Sequence, residues 1–281
     1  MAQRAGIWVL AAFLTVSMAC AAGVAGEPAK GGEPEWARWR GPNADGISPE
    51  TGWDAAALAG APKSVWKVNV GKGNSAVSVS QGRVYTMGST GAQDVVRCLD
   101  AGDGKEVWNF PYSCPEGDYN GPRATPVLDE GSVFTVSREG QVHCLDAAKG
   151  RLKWTRHLAK DLKARLPKWG FAGSACVEGN VVLFNACASG VALDKKTGRN
   201  VWTSAPGIGG YATPVVFKIG AKPVVAVFGE KAFYLVDFAS GRPFGSHPWV
   251  TEYDVNAADP AVSGTTVFIT SGDLVCLDLK K

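Results

Sequence analysis

The chain has 281 residues, of which 46% are hydrophobic and 20% charged, a composition typical of a globular protein. Its formal charge of +3, without a dense block of Lys and Arg, gives no indication of a nucleic-acid or anionic-membrane partner. The 35 glycines indicate many turns, and the 10 tryptophans indicate a large apolar anchor that is used repeatedly.

The N-terminus has the pattern of an export signal. Arg4 precedes a long apolar stretch without charges, and small residues crowd positions 19–26. We therefore predict a signal peptide over 1–26, with no transmembrane segment after cleavage and a periplasmic or secreted protein; an uncleaved anchor is the alternative. A lipid anchor at Cys20 is not favoured, because Ser17 stands where lipoprotein signals usually carry a large aliphatic residue.

The next segment, 27–63, does not fit the pattern of the rest of the chain. Its stretch "WARWRGPNADGISPETGW" is rich in turn-forming residues. We expect an extended N-terminal arm that lies on the folded domain. "NADGI" lacks the spaced carboxylates and closing glutamate of a calcium loop, so a plain turn is the preferred interpretation.

From residue 64 onward a short phrase recurs, as in "CLDAGDGKEVW", "CLDAAKGRLKW" and "ALDKKTGRNVW". Its aspartates follow one another at intervals of 46, 48, 43 and 41 residues: Asp100, Asp146, Asp194, Asp237 and Asp278. Such a period is typical of β-propeller blades or helical arrays. Short β-rich runs such as "GSVFTVS" and "NVVLFNA" precede the aspartates, and no helical period spans a unit. The units are therefore predicted to be four-stranded antiparallel blades.

Each recurring residue of the phrase can be explained by its place in a blade. A glycine four residues after the aspartate can take a positive φ and close a hairpin, and the aspartate can accept N–H groups of that turn. A tryptophan eight residues after the aspartate lies on the next strand, where its ring can pack on the neighbouring blade. Three blades carry this ring: Trp108, Trp154 and Trp202. We expect each to be buried between blades.

The inner strands of the blades are predicted from runs of small residues that begin at Ser75, Ala124, Gly173, Ala212 and Ala258. The fold class is therefore all-β, a propeller of about five four-stranded blades over 64–281. "SVWKVNV", at 64–70, is similar to the outermost strands and has no blade of its own, so we expect it to complete the last blade. The segment 157–170 is the best helix candidate, ended by Pro167.

Six cysteines follow Cys20, and three of them precede "LD" in the phrase: Cys98, Cys144 and Cys276. A position that accepts cysteine three times, and alanine or leucine elsewhere, is predicted to be a buried apolar slot. We expect free, buried thiols for the most part. "CxxC" does not occur in the sequence, which removes support for a zinc ribbon or a thioredoxin-type site.

The repeated phrases resemble those of the quinoprotein-like (PQQ-like) propellers, a family that includes PQQ-dependent alcohol dehydrogenases and the non-enzymatic outer-membrane assembly factor BamB. Exported members often open with "W-x-x-W-R-G-P-N-x-D-G", which Trp36 to Gly46 matches. The resemblance runs from Trp36 to Lys281 and implies the propeller fold. Members usually have seven or eight blades, whereas five are counted in this chain.

The resemblance also implies which catalytic parts to seek. PQQ dehydrogenases carry two adjacent cysteines over the quinone and a calcium held by Glu, Asn and Asp; this sequence has no "CC" and no assignable calcium cluster. We therefore expect no cofactor, no metal site and no catalytic residue. The preferred hypothesis is a non-catalytic envelope scaffold for a protein or glycan partner, and the alternative is a PQQ-dependent dehydrogenase. The three scattered histidines do not support a hydrolase.

If the propeller has a binding mouth, the loops that enter the inner strands form it, because these loops gather around the axis on one face. They bring six candidate residues toward that mouth: Asn120, Arg123, Trp169, Tyr211, Asn256 and Asp259. Arg and Asp with aromatic rings at a funnel can hold a polar ligand or a partner loop. The alternative is structural: Arg123 and Asp259 cap strand ends or pair with each other.

Overall fold

The computed structural model of the chain describes residues 35–52, 54–60, 62–115, 119 and 121–280. The predicted signal peptide at 1–26 and the first part of the predicted arm lie outside these residues. Within the described ranges, no helix has the length and apolar character needed to cross a membrane.

The described residues form nineteen strands in five antiparallel sheets. The first sheet contains β1 (Ser78–Ser80), β2 (Arg83–Ser89), β3 (Gln93–Asp100) and β4 (Glu106–Ser113). The second contains β5 (Val127–Asp129), β6 (Ser132–Val136), β7 (Gln141–Asp146) and β8 (Leu152–His157). The third contains β9 (Cys176–Glu178), β10 (Val181–Phe184), β11 (Val191–Asp194) and β12 (Asn200–Thr203).

The fourth sheet contains β13 (Val215–Ile219), β14 (Lys222–Phe228), β15 (Ala232–Asp237) and β16 (Pro243–Pro248). The fifth contains β17 (Ala261–Ser263), β18 (Thr266–Ser271) and β19 (Asp273–Asp278). A 3₁₀ turn at Ala55–Leu58 and one helix, α1 (Leu158–Leu162), are the helical elements among the described residues. The prediction of an all-β propeller with five blades is confirmed, with one sheet for each repeat.

The repeated phrase builds the hairpin that joins the third and fourth strand of a blade. Asp100 Oδ1 accepts the backbone N–H groups of Gly102 and Asp103, and Asp194 Oδ1 accepts that of Thr197. Gly104 closes the first of these turns with a φ of 73°, a conformation that a side chain disfavours. The turn explains why aspartate and glycine recur at a fixed spacing.

The tryptophans of the phrase lie between blades, as predicted. Trp154 is buried, its ring covers Gly198 of the third blade, and its Nε1 donates to the carbonyl of Lys195 at 3.0 Å. Trp108 and Trp202 repeat this arrangement on the second and fourth blades. Each ring therefore ties one blade to the turn of the next, and apolar side chains fill the rest of each interface.

The predicted closure of the last blade by 64–70 is wrong. The fifth sheet has three strands, and 64–70 forms no strand with it. The segment is held on the first blade instead: Trp66 packs on Gly104 and donates Nε1 to Ala101, while Lys72 exchanges two backbone hydrogen bonds with Ser89 at the end of β2. Because both ends are fixed there, the segment does not reach β19.

Two smaller expectations also need correction. The helix within 157–170 spans only Leu158–Leu162, because Lys163 takes a left-handed conformation that ends it before Pro167. The cysteines of the described residues are free, and most are buried, but Cys276 is exposed. In the other blades the fourth strand covers this slot, whereas the described residues place no fourth strand in the fifth sheet.

Candidate functional site

The starts of neighbouring inner strands are joined by hydrogen bonds around the axis. Thr125 N donates to Ser174 Oγ, and Ser174 N donates to Thr213 Oγ1. Thr213 N in turn donates to Asp259 Oδ1 at 2.7 Å. A side-chain oxygen at the same place in successive blades thus receives the N–H of the blade before it. This chain of contacts fixes the loops that form the predicted mouth.

The N-terminal arm crosses the inner strands near the axis. Trp36 forms a backbone bridge with Val79 of β1, and Ala37 O accepts the N–H of Leu128 in β5. At the other side of the arm, Trp39 Nε1 donates to Asp259 Oδ2 at 2.8 Å. The arm therefore connects the first two blades with the last one.

Two cavities lie on either side of Trp39. One, of about 410 Å³, opens toward the mouth and is lined by Arg40, Arg123, Tyr211 and Asp259 among others. The other, of about 400 Å³, lies against the inner strands of the third, fourth and fifth blades. Both cavities are lined by Trp39 together with Arg40, Thr213 and Asp259.

Asp259 is fully engaged in this architecture. Its two carboxylate oxygens accept one bond each, from the Thr213 backbone and from the Trp39 indole. Burial raises the pKa of Asp259, and the two hydrogen bonds oppose that rise. The carboxylate therefore joins the fourth blade and the arm to the start of the last blade, with one N–H donor on each oxygen.

Arg123 also supports the loop from which it comes. Its guanidinium donates to the carbonyls of Gly121 and Tyr119, at 3.1 and 2.8 Å. Burial, and next the charge of Arg138, lower the pKa of Arg123. The structure brings Arg123 and Asp259 to one cavity, where each bonds backbone groups.

Four exposed or half-buried aromatic rings stand around the mouth. The rings of Trp169 and Tyr119 meet edge-on at 5.4 Å, and Tyr211 Oη accepts the backbone N–H of Trp169. Lys168 Nζ lies 5.2 Å from the Trp169 ring and 5.9 Å from that of Tyr253. Tyr119 and Tyr253 are 70% and 59% exposed. We call Tyr119, Lys168, Trp169 and Tyr253 the aromatic rim.

Of the two asparagines predicted at the mouth, only Asn256 is among the described residues. Asn256 is fully buried, and its Nδ2 donates to the carbonyls of Gly229 and Glu230. Its backbone carbonyl accepts the N–H of Tyr211. Asn256 therefore holds two loops together from inside, away from the mouth surface. Asn120 lies outside the described residues.

Sequence reasoning missed the two arm residues at the mouth, Trp39 and Arg40. The arm was expected to lie on the propeller, but nothing in its turn-rich composition indicates that it enters the axis. The paired tryptophans of "WARWR" were an available signal, because an exposed arm has no need of two large rings. Tyr253 was missed because a lone aromatic in a loop carries no pattern.

The arrangement offers limited chemistry. Within the described ranges, no group of three or more His, Cys, Asp or Glu side chains has the spacing of a metal site. His143 is buried against Phe110 and Tyr112, which lowers its pKa to about 4. What the mouth does present is a cavity lined by two arginines, Arg40 and Arg123, beside a rim of aromatic surface.

Comparison with known proteins places the chain among the propellers. The family model described as "Outer membrane protein assembly factor BamB" matches residues 55–281. A curated relative, the outer membrane protein assembly factor BamB of Burkholderia pseudomallei, is 29% identical over 246 residues. That match covers 78% of this chain and 59% of the relative, so this chain spans about three fifths of its length.

Solved structures show the same fold. BamB from Moraxella catarrhalis superposes with a TM-score of 0.53 at 16% identity, covering 73% of this chain and 58% of that one. The quinohemoprotein alcohol dehydrogenase from Comamonas testosteroni gives a TM-score of 0.65 at 16% identity, over 87% of this chain and 47% of that one. At this identity the likeness extends to the fold alone. The family match over most of the chain settles its membership: it is a member of the BamB family of PQQ-like propeller proteins.

Proposed function

We propose that the protein is a non-catalytic scaffold of the cell envelope that binds a component of outer-membrane protein assembly through its mouth face. The family match and the curated relative, an outer membrane protein assembly factor, support this class of partner. The export signal expected at 1–26 would deliver the chain to the periplasm, where such a partner is accessible.

The observation that carries the proposal is the engagement of the two charged residues at the axial cavity. Asp259 already accepts two N–H groups, and the Arg123 guanidinium is committed to two carbonyls of its own loop. These bonds hold the loops and the arm around the cavity, so we assign the contact with the partner to the exposed surface around it.

The aromatic rim is the surface best suited to a protein partner. Aromatic side chains are enriched at the centres of protein interfaces, where they bury much area at little cost in conformational entropy. Tyr253 and Tyr119 expose most of their rings, and Lys168 lies between Trp169 and Tyr253. These contacts hold the rim in one arrangement before a partner arrives.

Site-specific crosslinking in the living source bacterium tests the proposal. A photoreactive amino acid replaces Tyr253 in the rim or, as a matched control, Phe244, which is 58% exposed on the fourth blade. We expect the Tyr253 position to give an adduct with an outer-membrane assembly protein, identified by mass spectrometry, and the Phe244 position to give none. The Trp169→Ala substitution should reduce the adduct.

Two results would overturn the proposal. An absence of adducts from Tyr253, or the same adducts from Phe244, would remove the rim as a specific binding surface. Adducts with glycan in place of protein would assign the rim to a different partner class.

A further inference from the structure

The cavity at the mouth carries more positive than negative charge. Two guanidinium groups and one carboxylate line it, those of Arg40, Arg123 and Asp259. Neither arginine forms an ion pair with a carboxylate of the described residues. Asp259 is already bonded to one N–H donor on each oxygen. One positive charge is therefore left without a counter-ion among the described groups that line the cavity.

The polar groups of the cavity wall offer donors that lack acceptors. Three lining residues each use the side-chain hydroxyl oxygen to accept a backbone N–H group: Ser174, Thr213 and Tyr211. A hydroxyl that accepts a hydrogen bond still has its own hydrogen to donate. Within the described part of the chain, none of these three hydroxyls donates to an acceptor. Because Ser174 is buried, its unused donor favours a ligand that brings an acceptor.

The two arginines also keep N–H groups free. Arg123 donates to the carbonyls of Gly121 and Tyr119 through one N–H of each terminal nitrogen, which fixes the guanidinium and leaves its other N–H groups for a ligand. Arg40 donates to a single carbonyl, that of Asp45, at 3.3 Å. Planar guanidinium groups pair well with carboxylates, because two N–H groups can reach both oxygens at once.

We propose that the mouth cavity binds a carboxylate, supplied by an Asp or Glu side chain of the protein partner; the source of the carboxylate rests on the proposed function. One carboxylate brings the single negative charge that the cavity lacks. A phosphate group carries more charge and would add repulsion from Asp259. The aromatic rim adjoins the cavity, since Tyr211 accepts the backbone N–H of Trp169. A partner that rests on the rim can therefore place an acidic side chain in the cavity.

A side-chain mimic tests the cavity without the partner. N-acetylglutamate α-amide carries the side-chain carboxylate alone, and N-acetylglutamine α-amide is its neutral control. Each is added to the isotope-labelled full chain at constant ionic strength, in a buffer free of carboxylate and phosphate. The reporter is the indole N–H resonance of Trp39, which donates to Asp259 at the cavity and is identified by its loss in Trp39→Phe. We expect the acid to give a saturable shift with a dissociation constant of roughly 1–10 mM, and the amide to give none.

Substitutions then locate the binding. Arg40→Gln removes one guanidinium at the loss of one hydrogen bond within the chain, and it should weaken binding of the acid at least about fivefold. Arg199→Gln, in the exposed hairpin turn of the third blade, is the matched control and should leave the affinity unchanged. Urea melts check that both variants fold. In the source bacterium, Arg40→Gln should also reduce the photocrosslinked adduct from position 253.

The outcomes separate this inference from the proposed function. Equal shifts with acid and amide, or an unchanged affinity in Arg40→Gln, would overturn the carboxylate site, whereas the adduct from position 253 would still report on the protein partner. A tighter response to inorganic phosphate than to the acid would overturn the carboxylate as the ligand. Selective binding of the acid, with an adduct that Arg40→Gln leaves unaltered, would overturn the partner as its source.

Discussion

The docking role of the repeat tryptophans gives the sharpest stability prediction, for Trp154→Ala. The Trp154 ring is only 9% exposed and lies between the second and third blades. Its Nε1 donates to the Lys195 carbonyl, and Gly198 leaves the space that the ring fills: a Cβ there would stand 2.7 Å from it. Truncation removes the ring, leaves a cavity and deprives one carbonyl of its donor. The expected loss is about 3–5 kcal/mol in the free energy of unfolding.

Urea melts followed by circular dichroism measure this loss. Trp154→Phe is the control: it keeps an aromatic ring in the interface and removes the N–H donor and part of the indole, so it should cost less than Trp154→Ala. A loss below about 1 kcal/mol for Trp154→Ala would refute the docking role, since that is the range of ordinary surface substitutions.

Three further predictions concern the hairpin turn of the third blade, the hydrogen bonds of Asp259, and the stability of the protein in acid. Gly198→Ala should lower the free energy of unfolding by more than about 2 kcal/mol, and the control Gly179→Ala by about 1 kcal/mol. Both glycines have a positive φ, but only at position 198 would the new Cβ collide with a ring, that of Trp154. Equal losses in urea melts would contradict this. Asp259→Ala should lower the free energy of unfolding by about 2 kcal/mol, since two N–H donors lose their acceptor, and Asp259→Asn should lower it less. An Asp259→Ala protein as stable as the wild type in urea melts would contradict a structural role for this carboxylate. Burial lowers the pKa of His143 from 6.5 to about 4, so the unfolded chain takes up the proton first and stability falls as the pH drops from 6.5 toward 4. Between pH 7.5 and 4.5 the wild type should lose about 2.5 kcal/mol more than His143→Phe, and parallel losses in the two proteins would contradict this.

Most of the fold could be predicted from the repeats, because the same local sequence pattern recurs from blade to blade. The aspartate and glycine of the phrase determine a turn, and the tryptophan determines a blade interface, so five sheets and their docking rings could be predicted from the spacing of the phrases and the β-rich runs before them. Ring closure could not be predicted in this way. It depends on where 64–70 is anchored, and the anchors, Trp66 on Gly104 and Lys72 on Ser89, are long-range contacts without a sequence pattern.

The mouth was predicted in part. The topology brings inner-strand loops to one face, and Arg123, Tyr211 and Asp259 do line one cavity. Asn256 was placed there by the same argument but turns inward, because a buried amide can join two loops that the sequence cannot show to be adjacent. Trp39 and Arg40 come from the arm, and only tertiary contacts place them at the axis.

Equilibrium dialysis with PQQ and calcium tests the central claim, that the mouth is part of a non-catalytic scaffold, most directly. The purified chain should retain no quinone and should not oxidise a panel of alcohols and sugars with an artificial electron acceptor, since Asp259 and Arg123 are committed to backbone and indole groups. Retained quinone in a one-to-one ratio, with turnover that disappears in Asp259→Asn, would contradict the account and make the protein a quinoprotein dehydrogenase.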